Sequence, residues 1–240
     1  MYKSIDIKLP IFEMGLKGYL YGKEAVDFAK AADSISKKYQ VSIIFDPQYI
    51  DIPQIIKETE NIYVFSQHMD AVEVGRGVGI ILPEALKEAG VAGTLLNHFE
   101  RKLKINEIYN AIKRADDMGL ATLVFADSPD EAAAIAQFNP NMILAEPPEL
   151  IGTCQDVGKL LKKFISEAIR KVKKINPEII VGSGAGVKDP EGIKNIIEMG
   201  VDLTGSTSAV LKSDNPVKTL EDMVKTLKQT WLRTRIKREE

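Results

Sequence analysis

A closed (β/α)8 barrel, spanning residues 1–240 as a single α/β domain, is the fold this sequence predicts, on three observations. Short apolar runs alternate with longer amphipathic stretches from end to end. The runs are continuously apolar, which marks strands buried on both faces, and the helical stretches between them mark parallel pairing through crossovers. At 240 residues the chain matches the ~250 residues that such a barrel takes as one domain, and no linker or low-complexity tract interrupts it.

The candidate strands are, in order, IDIKLPIFEM, VSIIF, IYVFS, VAGTLL, LATLVFA, NMILA, EIIVG and VDLTG. Helical patterns lie between them at Ala25 to Lys37, Ile105 to Asp117, Asp130 to Gln137, Val157 to Lys174 and Pro190 to Met199, and Pro216 to Trp231 follows the last strand. The closing RTRIKREE reads as a solvated, frayed tail over 232–240. An open doubly wound sheet is the weaker alternative. It would carry a Gly-rich phosphate turn after its first strand, and EMGLKG at 13–18 is not G-x-G-x-x-G.

Composition narrows the function. Hydrophobic residues make up 45% and charged residues 28%, an ordinary globular balance, and the net charge of -2 supplies no basic field for nucleic acid or anionic lipid. The N-terminal segment has neither a signal-peptide core nor a spanning run, so no membrane association is expected. One cysteine, Cys154, permits no internal disulfide and makes a cytoplasmic setting the expectation. The two histidines, His68 and His98, stand thirty residues apart without clustered carboxylates, so no metal is expected.

A barrel places its active site at the C-terminal ends of its strands. Lys17 follows the first candidate strand, His98 and Glu100 the fourth, and Glu146 the sixth, so a cation, an imidazole and two carboxylates converge on one mouth. Each also has a plainer reading: Lys17 as a solvated loop lysine, His98 as a satisfied strand-end histidine, Glu146 as a helix cap. Pro147 and Pro148 stiffen the chain after Glu146, and Gly152 ends the stretch, as suits a lid that covers and desolvates a base. GSGAGV at 182–187 and TGSTSAV at 204–210 follow the seventh and eighth strands, where backbone N–H groups and a short helix make a phosphate site in such barrels. A base, a neutral imidazole, a cation and an anion pocket suit proton transfer beside the carbonyl of a small phosphorylated sugar, without cofactor.

GTLLNHFE at 93–100, AEPPELIGT at 145–153, ILPEALKEAGVAGT at 81–94 and GLKGY at 15–19 carry a resemblance to the triosephosphate isomerase family, spanning roughly residues 10 to 228. The resemblance implies a TIM barrel and an aldose–ketose isomerase acting through an enediolate, with glyceraldehyde 3-phosphate and dihydroxyacetone phosphate as the first substrate pair. It implies Glu146 as base, His98 as electrophile, Lys17 as electrostatic stabiliser and Glu100 as the carboxylate supporting the histidine. Gly15, Ile151, Gly152, Gly184, Gly186, Thr207 and Ser208 would line the substrate and phosphate site. A homodimer or a tetramer is implied as well, through the third loop, AVEVGRGVG.

The chain departs from the family at several points. Gly15 stands in place of a substrate-contacting asparagine, which predicts open space beside Lys17; Phe99 replaces a serine, Phe125 lies near a usual cysteine, and Val78 occupies the place of a threonine that reaches the partner subunit. Phe99 and Phe125 read as packing residues, and His68 as support for the third loop. IFEMGLKGYLYG, HMDAVEVGRG and TGSTSAVLKSDNP resemble a divergent branch that includes isomerases of four-carbon sugar phosphates, which keeps an erythrulose phosphate open as substrate. A non-catalytic phosphosugar-binding barrel and a Schiff-base aldolase or phosphate-dependent synthase are the other readings. A binder has no use for a lidded base, and Lys17 is the only lysine well placed at the mouth.

Overall fold

A computed structural model describes residues 6–147 and 157–239. Eight strands close into one all-parallel barrel in sequence order: β1 (Ile11–Gly15), β2 (Ser42–Asp46), β3 (Ile62–Ser66), β4 (Gly93–Leu96), β5 (Ala121–Ala126), β6 (Met142–Ala145), β7 (Ile180–Gly182) and β8 (Leu203–Gly205). The helices are α1 (Gly22–Tyr39), α2 (Ile52–Glu58), α3 (Pro83–Glu88), α4 (Ile105–Met118), α5 (Pro129–Ala136), α6 (Val157–Ile175), α7 (Pro190–Glu198), α8 (Ser208–Leu211) and α9 (Pro216–Glu239), with a 3-10 turn at Tyr49–Asp51. The predicted (β/α)8 architecture is the observed one.

Two apolar layers explain why the strand runs are continuous. Phe12, Ile43, Val64, Leu96, Val124 and Ile143 face outward and pack in the core between strands and helices. Ile11, Ile44, Phe65, Leu95, Leu123 and Leu203 face inward and fill the lower barrel. Burying each such side chain stabilises the fold by roughly 1.5–3 kcal/mol.

Local chemistry sets the element boundaries. Ser128 Oγ accepts the Glu131 N–H at 3.0 Å and Asp189 Oδ1 accepts the Gly192 N–H at 2.8 Å, so α5 and α7 start on a side-chain cap followed by proline at the first helical position. The first apolar run is shorter as a strand than its sequence suggests, because Pro10 has no N–H for the ladder and β1 begins at Ile11. At the other end, residues 232–239 continue α9 in place of the expected frayed tail. Trp231 anchors that helix by donating from Nε1 to Asp202 Oδ1 at 2.8 Å, and the Arg235 guanidinium stacks 4.5 Å from the indole centroid.

Candidate active site

The strand ends surround a pocket of about 580 Å³, lined among others by Glu13, Lys17, Asp46, His98, Glu146 and Gly184. Lys17 sits at a φ of 49°, a left-handed conformation that costs a non-glycine residue on the order of 1–3 kcal/mol and persists only where its surroundings hold it. Here they do: its carbonyl accepts the side-chain amide N–H groups of Gln48 and Gln67, at 2.5 and 3.0 Å. The turn sends Nζ across the mouth to Glu100 Oε1 at 2.9 Å, 5.0 Å from the Phe99 ring centroid.

Asn97, also left-handed with a φ of 60°, turns the chain at the end of β4. Its Nδ2 donates to the Phe125 carbonyl and to Glu131 Oε1, both at 2.9 Å, and its Oδ1 accepts the Leu103 N–H at 3.0 Å. A buried asparagine thereby ties β4 to β5, to α5 and to the approach of α4, and fixes the place from which His98 projects. The His98 ring lies between Phe99, with centroids 4.5 Å apart, and Phe125, edge-on at 4.7 Å. Both phenylalanines pack against the imidazole.

The Glu100 N–H donates to His98 Nδ1 at 3.1 Å, which leaves the ring proton of the neutral imidazole on Nε2. Burial, and after it the nearby Lys17 charge, push the His98 pKa down to about 4. Residues 98–101 form a turn closed by Arg101 N–H to the His98 carbonyl at 2.7 Å, and α4 starts at Ile105.

Glu146 follows β6, with its N–H donating to the Ala126 carbonyl at 2.9 Å and its Oε1 accepting the Gly184 N–H at 3.0 Å. Loss of water raises its pKa to about 7, the negative charge of Glu13 adds to the rise, and the Gly184 N–H opposes it. Gly184 thus gives its N–H to the carboxylate rather than to the open pocket. A Cβ there would meet Glu146 Oε1 at 2.8 Å and the Gly205 carbonyl at 2.9 Å, so only glycine fits. Gly186, Thr207 and Ser208 line the pocket wall beyond β7 and β8, with α8 beginning at Ser208. Ile151, Gly152 and Cys154 lie outside the described residues.

Gly15 does not open space beside Lys17. A Cβ on it would meet Glu13 Oε1 at 2.7 Å and Asp46 Oδ2 at 3.0 Å: two carboxyls occupy the room. Gly15 and Asp46 are register partners, and Glu13 lies two residues earlier on the same inward face of β1. Glu13 is hydrogen-bonded to Asp46, and two carboxyls in that contact hold a proton between them. Burial raises both pKa values, and the Glu13 charge pushes Asp46 further up. His68 is buried, with Nε2 3.2 Å from Asp70 Oδ1, and Asp70 Oδ2 accepts the Ile81 N–H at 2.7 Å, a structural role at the base of the third loop.

Residues 11–226 match the family model described as triosephosphate isomerase. The chain belongs to the triosephosphate isomerase family. It is 40% identical over 220 residues to a protein named triosephosphate isomerase from Sulfurisphaera tokodaii, covering 91% of this chain and 95% of that one. A Methanobacterium bryantii protein of the same name is 38% identical over 217 residues, 90% and 96% of the two chains, and one from Methanosarcina mazei is 35% identical over 218 residues, 90% and 98%. Among the described residues, no helix is long and apolar enough to cross a membrane. The pair Glu13–Asp46 and the anchor Asn97 escaped the sequence reading; the acidic residue inside each of two apolar strands was the signal available for the pair.

Proposed function

We propose that the protein interconverts dihydroxyacetone phosphate and glyceraldehyde 3-phosphate by proton transfer through an enediolate. The observation that carries this reading is the pairing, in one pocket, of a carboxyl held at Oε1 by the Gly184 N–H with an imidazole whose Nδ1 accepts the Glu100 N–H, and pKa values of about 7 and about 4 accord with a base and a neutral acid. Glu146, with Oε1 taken by Gly184, uses its other oxygen to remove the proton from the carbon next to the carbonyl. The C–H bonding pair forms the new C=C bond and the carbonyl π pair moves onto its oxygen, which His98 Nε2–H polarises and protonates while Lys17 steadies the charge. The neighbouring hydroxyl then returns a proton to His98 Nε2 as its oxygen becomes the new carbonyl, and Glu146 delivers its proton to the other carbon, which completes the exchange with no metal or cofactor in the sequence of steps. Glu100 positions both partners, since its carboxylate holds Lys17 and its backbone N–H fixes the His98 tautomer.

The phosphate goes to the β7 and β8 loops, with Gly186, Thr207 and Ser208 as its ligands; for Ile151 and Gly152 the support is the motif alone. A homodimer or tetramer through the third loop is part of the same reading, supported by the exposed side chains of Val74 and Val78. Light scattering that gives a monomer at micromolar concentration would remove it. The setting is cytoplasmic. For the chemistry, the test is exchange of carbon-bound hydrogen with solvent deuterium, followed by NMR on dihydroxyacetone phosphate. Exchange that requires Glu146 supports the reading, and no exchange from any three- or four-carbon ketose phosphate overturns it.

A further inference from the structure

Gly186, Thr207 and Ser208 carry no charge, yet the phosphate assigned to them is an anion that must enter a pocket already holding the carboxyls of Glu13, Asp46 and Glu146. An anion leaving water needs a cation to offset the loss. Among the described residues, three cationic side chains line the pocket: Lys17, Arg101 and Lys188. Lys17 is held by Glu100 at 2.9 Å, and Arg101 lies 3.9 Å from Asp70. Lys188 has no ion-pair partner among the described residues. The acidic residues that follow it in sequence are committed elsewhere: Asp189 Oδ1 accepts the Gly192 N–H at 2.8 Å as the cap of α7, and Glu191 Oε1 pairs with Lys194 at 2.8 Å. Lys212, just after α8, is occupied too, 5.3 Å from the centroid of the Tyr19 ring.

The backbone sets Lys188 beside the neutral ligands. The turn 184–187 closes through the Val187 N–H to the Gly184 carbonyl at 3.2 Å, with Gly186 at a φ of 76°. Ser206 Oγ then donates to the Val187 carbonyl at 3.0 Å, so the peptide that leads into Lys188 is clamped to the residue preceding Thr207 and Ser208. The side chain itself is exposed, at the rim of the pocket.

Resting on the isomerase reading, we propose that Lys188 pairs with the substrate's phosphate and is the residue that selects a phosphorylated sugar over its neutral counterpart. An ammonium on a flexible four-carbon stem, with three donors, can follow the phosphate from the rim onto the β7 and β8 loops. The two pocket lysines thereby divide the substrate. Lys17 reaches toward Glu100 on the β4 side and serves the reacting oxygen, while Lys188 answers the charge at the other end.

The test has two readouts on the full chain: the ratio of kcat/KM for dihydroxyacetone phosphate to that for dihydroxyacetone, followed as solvent hydrogen exchange, and the affinity for inorganic phosphate by calorimetry. Lys188→Ala is expected to lower both about tenfold, the lower end of the range for a hydrogen bond to a charged group, because water screens a lysine at the rim. Lys188→Arg is expected to keep both near wild type, since charge and donors remain, and added NaCl should weaken phosphate binding more steeply in the wild type than in Lys188→Ala. A ratio unmoved in Lys188→Ala, or lowered equally in Lys188→Arg, overturns the proposal, and the ratio decides where the two readouts disagree. Lys188→Gln takes the place of the alanine variant if that one does not fold. If neither sugar exchanges, the isomerase reading falls and phosphate affinity alone decides: a loss in Lys188→Ala that Lys188→Arg restores leaves the phosphate role standing, and no such loss overturns it as well. Exchange with an unmoved ratio keeps the isomerase reading and removes Lys188 from it.

Discussion

The β4–β6–β7 arc of the barrel mouth and the β1–β2 arc beside it treat charge in opposite ways. On the first arc the imidazole and the base each have one dedicated backbone donor: His98 Nδ1 has the Glu100 N–H and Glu146 Oε1 has the Gly184 N–H. On the second arc two carboxyls are buried against each other, and one of their oxygens has no partner among the described residues. A single backbone donor fixes a tautomer or an orientation and leaves the opposite atom free to react. A carboxyl pair shares a proton and keeps a charge away from water, which the neighbouring groups then feel.

The sharpest way to break this division is Glu146→Gln, a nearly isosteric change that keeps fold and phosphate binding while removing the base. Turnover should fall by about a hundredfold to ten-thousandfold, measured as isomerisation under saturating substrate. Activity near wild type would take Glu146 out of the reaction. His98→Gln should come next, lowering turnover by roughly one to three decades with little change in melting temperature. Unfolding with a fully active folded fraction would instead make the histidine structural.

Asn97→Ala addresses the arc's foundations. It strands the Leu103 N–H and removes donors from Phe125 and Glu131, and the expected cost is about 1–3 kcal/mol in denaturant unfolding, accompanied by reduced turnover as His98 loses its place. An unchanged midpoint would show that the anchor is redundant. The smallest effect links the arcs. The wild-type kcat/KM should rise with pH through an inflection near 7, where Glu146 gives up its proton, while His98, neutral above about 4, does not limit it. The double variant Glu13→Gln with Asp46→Asn removes the neighbouring charge and should move that inflection to lower pH, though burial keeps it above the ordinary carboxyl range. Glu13→Gln alone should move it less, since Asp46 can then ionise in its place; an inflection that stays put in the double variant separates the two arcs electrostatically.

The two arcs also differ in how far the sequence reveals them. His98 and Glu146 close apolar runs in segments whose chemistry and spacing are distinctive, so their place on the rim follows once eight strands are counted. Lys17 follows from its position after the first strand, although nothing in GLKGY announces the left-handed turn that aims it. Gly15 misleads, because a missing side chain reads as empty space, and the residues that fill it lie two positions back and on the adjacent strand. Only the register of β1 with β2 brings Glu13 and Asp46 together. The end of α9 is hidden as well: RTRIKREE is polar enough for a solvated tail, while residues 233–239 continue the helix past Trp231.

The seam between β1 and β8 gives the Glu13 carboxyl a role in assembly. Gly205 of the last strand is its register partner and lies against it, so docking of the final unit on the first completes the cover over Glu13. At a pH above the ordinary carboxyl range, sealing that seam draws a proton from solvent onto the Glu13–Asp46 pair. Both pKa values are raised in the folded state, so the native chain binds more protons than the unfolded one, and this pair's contribution to stability declines as pH rises through the raised values. Barrel closure here is linked to proton uptake, and raising the pH through those values should weaken the join between the chain's two ends.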